Sequence, residues 1–294
     1  MTPRLYLELL ALSAIWGGAF IYTRVLAPNI GVFVTTEWRL LLGGAGLGVW
    51  MLFTRFDANW RVYWKPYLAL GLINTAIPFS LFSFAALTLP GSYLAIINSM
   101  APLWGAVFAA IFLGDKLTPR KLAGLVLGML GVAIITRGGP VPINAQTLAA
   151  IGACVAATVC YGLGGVYIKL KLQQAKPAAI AGGSQLLAGL LCAPALFTGP
   201  ATAVYSPMVW FHISVIGLAC GSVAYLLYYR LMTLAGPVKA LSVTMLIPVF
   251  GMLWGKLFLN EIITAGMIAG GVTVMAGLAL LFSTSQSSTP RTNH

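Results

Sequence analysis

The sequence predicts an all-α membrane protein of ten transmembrane helices, arranged as two five-helix repeats of inverted topology. Three observations carry that expectation. Of 294 residues, 60% are hydrophobic and 7% charged, whereas a soluble domain needs about a quarter charged residues to clothe its surface. The apolar residues fall into runs of about 20, the length that crosses a bilayer core. The second half of the chain also repeats the first at a nearly constant offset. Ten such spans leave no room for a soluble domain, which excludes a receptor ectodomain, an attached ATPase and most bilayer-surface enzymes.

Charged, Pro, Gly and Asn breaks delimit the spans in order. Helix α1 is expected over about 5–27, between Arg4 and Pro28, and α2 over 33–54, ending at Arg55. The run to about Phe20 imitates a signal peptide, but a matching run in the second half marks α1 as a membrane helix. Helix α3 (66–88) closes at the Pro90-Gly91 turn, and α4 (91–113) ends before Asp115. Helix α5 (119–136) lies between Pro119 and Arg137, and α6 (146–168) between Asn144 and Lys169. Helix α7 (178–199) follows Pro177, and α8 (208–232) follows Pro207 and closes at the Gly236-Pro237 turn. Helix α9 (237–259) ends before Glu261, and α10 (263–282) precedes a polar tail. The α3–α4 and α8–α9 links are so short that each pair forms a tight antiparallel hairpin.

The net charge of +12 would suggest nucleic acid in a soluble protein; here it reports topology. Of 17 Lys and Arg residues, all but Arg24, Arg39, Arg137 and Lys256 fall at the termini and even-to-odd connections. That bias places both termini in the cytoplasm, and in a bacterium the membrane is the inner one. Tyr63, Trp64, Tyr205 and Trp210 suit the interfacial belt. Cys154, Cys160, Cys192 and Cys220 lie in apolar runs without paired spacing, so neither a disulfide framework nor a zinc site is expected. His212 and His294 lack Cys, Asp or Glu neighbours, leaving no metal site and no catalytic group.

At an offset of 145, WGGAFIYTR (16–24) lies over YGLGGVYIK (161–169), pairing Gly17 with Gly162. At 146, Pro102 pairs with Pro248, Gly105 with Gly251, Asp115 with Glu261, Gly124 with Gly270 and Gly131 with Gly277. Matching prolines and acids at one offset are hard to obtain from composition bias. The repeats are drawn at 1–140 and 141–294. Five spans per copy is an odd number, so the second copy enters the membrane from the opposite side, and such pairs place a substrate site near the midplane.

These residues resemble the drug/metabolite transporter superfamily, in its ten-helix bacterial exporter group of EamA type. The signature is Pro102, Gly105, Asp115, Gly124 and Gly131 with Pro248, Gly251, Glu261, Gly270 and Gly277, and the likeness spans about Leu5 to Phe282. The resemblance implies export through a cavity lined mainly by α1, α3, α4, α6, α8 and α9, with exporters of aromatic and neutral amino acids as the nearest likeness. One departure stands out: Gln185 occupies the place in α7 that Arg39 holds in α2.

Ionisable groups at membrane depth are functional candidates by default. Asp57, Asp115 and Glu261 are expected at loops, Glu8 near the cytoplasmic end of α1, and Glu37 beside Arg39, where a local pair accounts for both. No carboxylate, Lys or Arg is expected at the centre, so the cargo is expected to be neutral or zwitterionic with apolar parts. Asn74, Thr75, Asn98, Ser99, Ser222, Ser242 and Thr244 remain as polar handles; the hydroxyls have the alternative of bonding their own helix. Trp16, Phe79, Tyr93, Tyr161 and Tyr225 offer aromatic walls, with ordinary packing as the alternative. Met100, Met245 and Met252 would add a compliant lining.

Pro102 and Pro248 stand at the midpoints of α4 and α9, where a lost hydrogen bond makes each a candidate hinge. The substrate set is therefore Trp16, Asn74, Phe79, Tyr93, Asn98, Ser99, Tyr161, Tyr225, Ser242 and Met245. Neither cofactor nor metal is expected, since the chain has no phosphate-binding loop and no ligand cluster. The partners expected are a small-molecule cargo such as an amino acid and the lipid bilayer, with no nucleic acid, and a monomer or weak homodimer. A broad exporter of amphipathic drugs is the second expectation, and a lipid-modifying membrane enzyme the third. That enzyme would need a carboxylate-rich metal site or an activated nucleophile.

Overall fold

The structure, a computed structural model, describes residues 2–284; Arg291 and His294 lie outside the described residues. It is helical throughout, with no strand among the described residues. The spans are α1 (Pro3–Ile30), α2 (Val32–Phe53), α3 (Trp60–Ala85), α4 (Gly91–Leu113) and α5 (Pro119–Gly138). They continue as α6 (Ala145–Lys171), α7 (Pro177–Thr198), α8 (Pro207–Ala235), α9 (Pro237–Leu241 and Val243–Leu259) and α10 (Ala265–Thr284). Among the described residues, nine are long and apolar enough to cross a membrane. The tenth, α2, has the length but carries Glu37 and Arg39 in its first half. The face bearing Pro3 is the N face below, and the opposite one the far face.

Two boundaries differ from expectation. Helix α3 opens at Trp60, six residues before Pro66, because Arg61 and Lys65 keep their heads in water while their stems extend the helix. Helix α1 carries Pro28 within its last turn and stops at Gly31, whose φ of 96° ends the helical path.

The inverted repeat is visible as matched packing. A Cβ built on Gly17 of α1 would fall 2.7 Å from Phe250 Cβ and 3.0 Å from the Gly251 nitrogen of α9. Its counterpart Gly162 of α6 meets Trp104 Cβ of α4 at 2.8 Å and the Gly105 nitrogen at 2.9 Å. Helices α5 and α10 cross each other in the same manner. Gly124 faces the Gly277 carbonyl and Gly131 the Gly270 carbonyl, each at 2.7 Å from a built Cβ. In lipid, association rests on such close backbone approach, which only small residues allow. Both acid-bearing turns are also alike: Gly114 (φ 72°) and Asn260 (φ 53°) take left-handed backbone. The next residues, Asp115 and Glu261, return their N–H to the Ala109 and Gly255 carbonyls.

The helices are broken where the repeats meet. Helix α3 widens to a π-helical turn at Leu72–Ala76, and α8 does so at Val215–Val223. Such turns recur at functional sites because they re-aim side chains and loosen the carbonyl ladder. Helix α4 is interrupted at Ser99–Met100, just before Pro102. Its mate differs from expectation: α9 breaks at Ser242, and Pro248 sits inside a continuous helix. Pro248 leaves the Thr244 carbonyl without its helical donor. The Ser99 hydroxyl of α4 fills that vacancy at 3.1 Å, so the carbonyl that Pro248 frees is satisfied from the other repeat.

Candidate functional site

A cavity of about 200 Å³ lies at the repeat interface, lined by Trp16, Arg39, Asn74, Phe79, Asn98, Tyr161, Tyr225 and Thr244. A vestibule of about 500 Å³ shares Trp16, Asn74, Tyr161, Tyr225 and Thr244 with it and runs past Lys169, Gln173 and Met232. Those three belong to the N face, so the cavity opens there.

Toward the far face the way is filled. Phe20 and Phe82 meet edge to face at 5.3 Å, and Phe82 stacks on Tyr161 at 6.2 Å. Behind them Ala85, Ala86, Leu89, Leu94 and Ile97 are fully buried, and Arg24 donates through Nη1 to the Ala86 carbonyl. At the surface the Glu261 carboxylate accepts from the Gly91 N–H at 2.6 Å and from the Ser92 N–H and hydroxyl at 3.1 and 2.5 Å. A loop of the second repeat thereby caps the start of α4 in the first.

Six of the ten expected site residues converge here: Trp16, Asn74, Phe79, Asn98, Tyr161 and Tyr225. The Trp16 indole is oriented by a 3.3 Å bond to the Cys220 carbonyl, freed in the α8 π turn, and by Tyr225 and Tyr228 at 5.6 and 5.3 Å. Asn74 stands in the α3 π turn against Gly164, where a Cβ would lie 2.8 Å from Asn74 Cγ. The side-chain polar groups of Asn74, Asn98, Tyr161 and Tyr225 make no hydrogen bond among the described residues, though each reaches the cavity. Polar atoms at membrane depth without internal partners are costly unless water or cargo supplies them.

The other four lie elsewhere. Tyr93 is buried and donates to the Ile135 carbonyl at 3.1 Å, fastening α4 to α5. Ser99 is fully buried, and its hydroxyl serves the Ala95 and Thr244 carbonyls. Ser242 bonds the Lys239 carbonyl at 2.6 Å in its own turn, and Met245 packs on the main core. Thr75, Ser222 and Thr244 likewise spend their hydroxyls on carbonyls of Gly71, Gly43 and Leu241. Met100 is fully buried and Met252 packs on the same core.

Two expectations about charge are overturned. Arg39 lines the central cavity, its guanidinium carbon 3.7 Å above the Phe79 ring centre, although no Arg was expected at the centre. Helix α2 starts at the far face and places Arg39 about 10 Å along its axis, from where the long side chain reaches inward. Nor do Glu37 and Arg39 pair: residues two apart on a helix point away from each other. Glu37 is buried with both carboxylate oxygens unpartnered among the described residues, turned to a separate crevice with Thr36, Ser80 and Cys192. Glu8 pairs with Arg230 at 3.0 Å and Arg4 at 3.3 Å on the N face.

A larger groove of about 740 Å³, walled by α1, α8 and α9, opens beside exposed Met208, Phe211 and Phe258. Its mostly apolar lining and sideways opening make it a crevice of the outer surface, apart from the polar groups gathered at the centre.

The model of the EamA-like transporter family matches the chain twice, over residues 4–137 and 148–283. Among curated proteins the chain is 27% identical to an uncharacterized transporter, YvbV, of Bacillus subtilis, over 85% of this chain and 82% of the other. It is 22% identical to protein PecM of Dickeya dadantii, over 91% and 88%. It is also 22% identical to a chloroplastic WAT1-related protein of Arabidopsis thaliana, over 90% and 66%. A solved crystal structure with 17% identity covers 98% of this chain and 100% of its own at a TM-score of 0.66, a likeness of fold. Two matches of one family model, on a helical membrane chain of ten spans, have a single reading: the chain belongs to the EamA-like transporter family.

Proposed function

We propose that this transporter is an inner-membrane carrier that exports neutral or zwitterionic metabolites, foremost aromatic and other neutral amino acids, by alternating access. One observation carries the reading. Unpartnered polar groups on Asn74, Asn98, Tyr161 and Tyr225 converge with aromatic faces on a cavity that is open at one face and sealed at the other. A pocket of that mixed lining suits a small molecule with one apolar and one polar end. The basic residues assign the N face to the cytoplasm, so the vestibule receives cargo from inside. Repeats drawn at 1–140 and 141–294 exchange conformations to open the far face. The break before Pro102 serves as one hinge, and the Ser242 break stands in for Pro248 in the other. The carrier works as a monomer or weak dimer.

A second reading, export of larger amphipathic compounds, is favoured by the apolar groove of about 740 Å³ beside α1, α8 and α9. Uptake of labelled Phe, Met and Thr into proteoliposomes, with and without a proton gradient, tests the first reading. Saturable uptake with trans-stimulation is the expected result. Indifference to all three, with competition by large apolar compounds, replaces it with the second.

A further inference from the structure

We infer that Arg39 is the anchor for a carboxylate on the cargo, so that the site selects molecules bearing one anionic group and rejects amines that lack it. The inference rests on the carrier reading and narrows its substrate class.

Among the described residues, Arg39 is the one charged side chain lining the central cavity, the vestibule adds only Lys169, and no acid lines either space. The guanidinium has no hydrogen-bond or ion-pair partner among the described residues, and its Nε is buried and unsatisfied. Glu37, the nearest acid in sequence, faces another crevice, and Glu8 is engaged by Arg4 and Arg230. A guanidinium keeps its charge at any physiological pH, so it cannot escape the cost of its surroundings by losing a proton. The Phe79 ring, with its centre 3.7 Å away, compensates part of that cost through its electron-rich face. The two Nη groups, unlike the buried Nε, are left for an acceptor. A carboxylate accepts two such bonds side by side.

The second repeat supplies no equivalent. Gln185 occupies the related place, and its amide donates to the Gly221 carbonyl at 3.1 Å, binding α7 to α8. The site is therefore electrically one-sided. A zwitterion can present its carboxylate to Arg39 beside Asn98 while its side chain lies against Trp16, Tyr161 and Tyr225. A cavity of about 200 Å³ is smaller than the range that takes drug-sized ligands, which matches a single small acid.

Four probes of similar shape separate the possibilities: phenylalanine, phenylalaninamide, 3-phenylpropionate and 2-phenylethylamine. Binding to the purified full chain is read by calorimetry. We expect both acids to bind at least tenfold tighter than the amide and the amine. Arg39→Gln should erase that preference, and Arg39→Lys should restore part of it. Failure of phenylalanine alone, with phenylpropionate retained, removes the amino-acid cargo and leaves the anchor in place. Amide or amine binding as tight as the acids overturns the anchor, as does an unchanged preference in Arg39→Gln. Binding of neither acid overturns both. The comparison within the unaltered protein stands even where a variant fails to fold.

Discussion

The Glu261 carboxylate grips Ser92 twice, through the hydroxyl at 2.5 Å and the amide at 3.1 Å, and so ties the α9–α10 turn to the start of α4 across the repeats. Charge-assisted bonds of this kind contribute roughly 1.5–3 kcal/mol each. They are made here with the far face closed; on the proposed alternating access, opening that face would part the α9–α10 turn from α4 and break them, which would bias the equilibrium toward the closed face. Glu261→Gln should raise the population open at the far face by about ten- to a hundredfold, since each 1.4 kcal/mol is a factor of ten. Labelling of Ala86→Cys, a fully buried position, by an impermeant maleimide reports that opening. Unchanged labelling would show that the grip is incidental to closure.

The symmetry then assigns a role to Asp115. It follows the same left-handed cap as Glu261, but its side chain is solvent-exposed and has no partner among the described residues. Its face is the open one here. When that face closes, Asp115 should meet the start of α9, where Pro237 and Val238 stand for Gly91 and Ser92 and offer a single N–H in place of three donors, so its grip should be the weaker one. Asp115→Asn is therefore expected to disfavour the far-open state, an effect opposite in sign to Glu261→Gln in the same assay. Effects of equal sign would break the symmetry argument.

Most of the fold was legible in the sequence because apolar runs, Pro and Gly breaks and a 146-residue offset are one-dimensional signals. That Trp16, Asn74, Asn98 and Tyr161 line the cavity follows the same logic, since they are polar or aromatic residues in mid-span. Arg39 was missed because charge counting treats a basic residue near a span end as a topological marker, while a long side chain can turn inward along Phe79. Ser99 was misjudged for a different reason. Its partner is the carbonyl freed by Pro248, 149 positions away in sequence, and no local pattern announces a hydroxyl filling a distant proline's vacancy. The π turns at Leu72–Ala76 and Val215–Val223 left no signal of their own either: Asn74, Thr75 and Ser222 within them mark polar positions, and nothing in the pattern marks a widened turn.

Glycines offer a clean test of the packing. Gly124→Ala would press a methyl onto the Gly277 carbonyl at 2.7 Å, whereas Gly105→Ala meets nothing within 4 Å. Overpacking costs about 1–3 kcal/mol, while Gly to Ala in an open helix position gains roughly 0.5–1 kcal/mol. Thermal unfolding in detergent should show a lower Tm for the first and an equal or higher Tm for the second. A reversed order would mean that α5 and α10 do not cross at these glycines.

Glu37 should tolerate neutralisation. Its carboxylate oxygens are buried without partners, so an ionised group there carries a desolvation cost that nothing offsets. Glu37→Gln keeps the shape and removes the charge, and is expected to keep or raise Tm. A clear fall in Tm would reveal a partner for the carboxylate. If gradient-driven uptake is lost while cargo binding persists, Glu37 carries the coupling proton through the crevice it shares with Ser80.

Asn98 and Ser99 are neighbours with separate tasks, and their variants should separate them. The Asn98 amide reaches the cavity and has no hydrogen-bond partner among the described residues; Ser99 bonds the Thr244 carbonyl at 3.1 Å, joining the two hairpins. Asn98→Ala is expected to weaken cargo binding about tenfold, with Tm unchanged, because only the cargo loses a hydrogen bond. Ser99→Ala leaves the Thr244 carbonyl buried and unpaired, a loss of about 1–3 kcal/mol in stability, with cargo affinity little altered. Calorimetry and thermal unfolding on the same two proteins decide the matter. If Ser99→Ala costs the affinity and Asn98→Ala the stability, the roles are exchanged, and α4 must be rotated relative to the cavity.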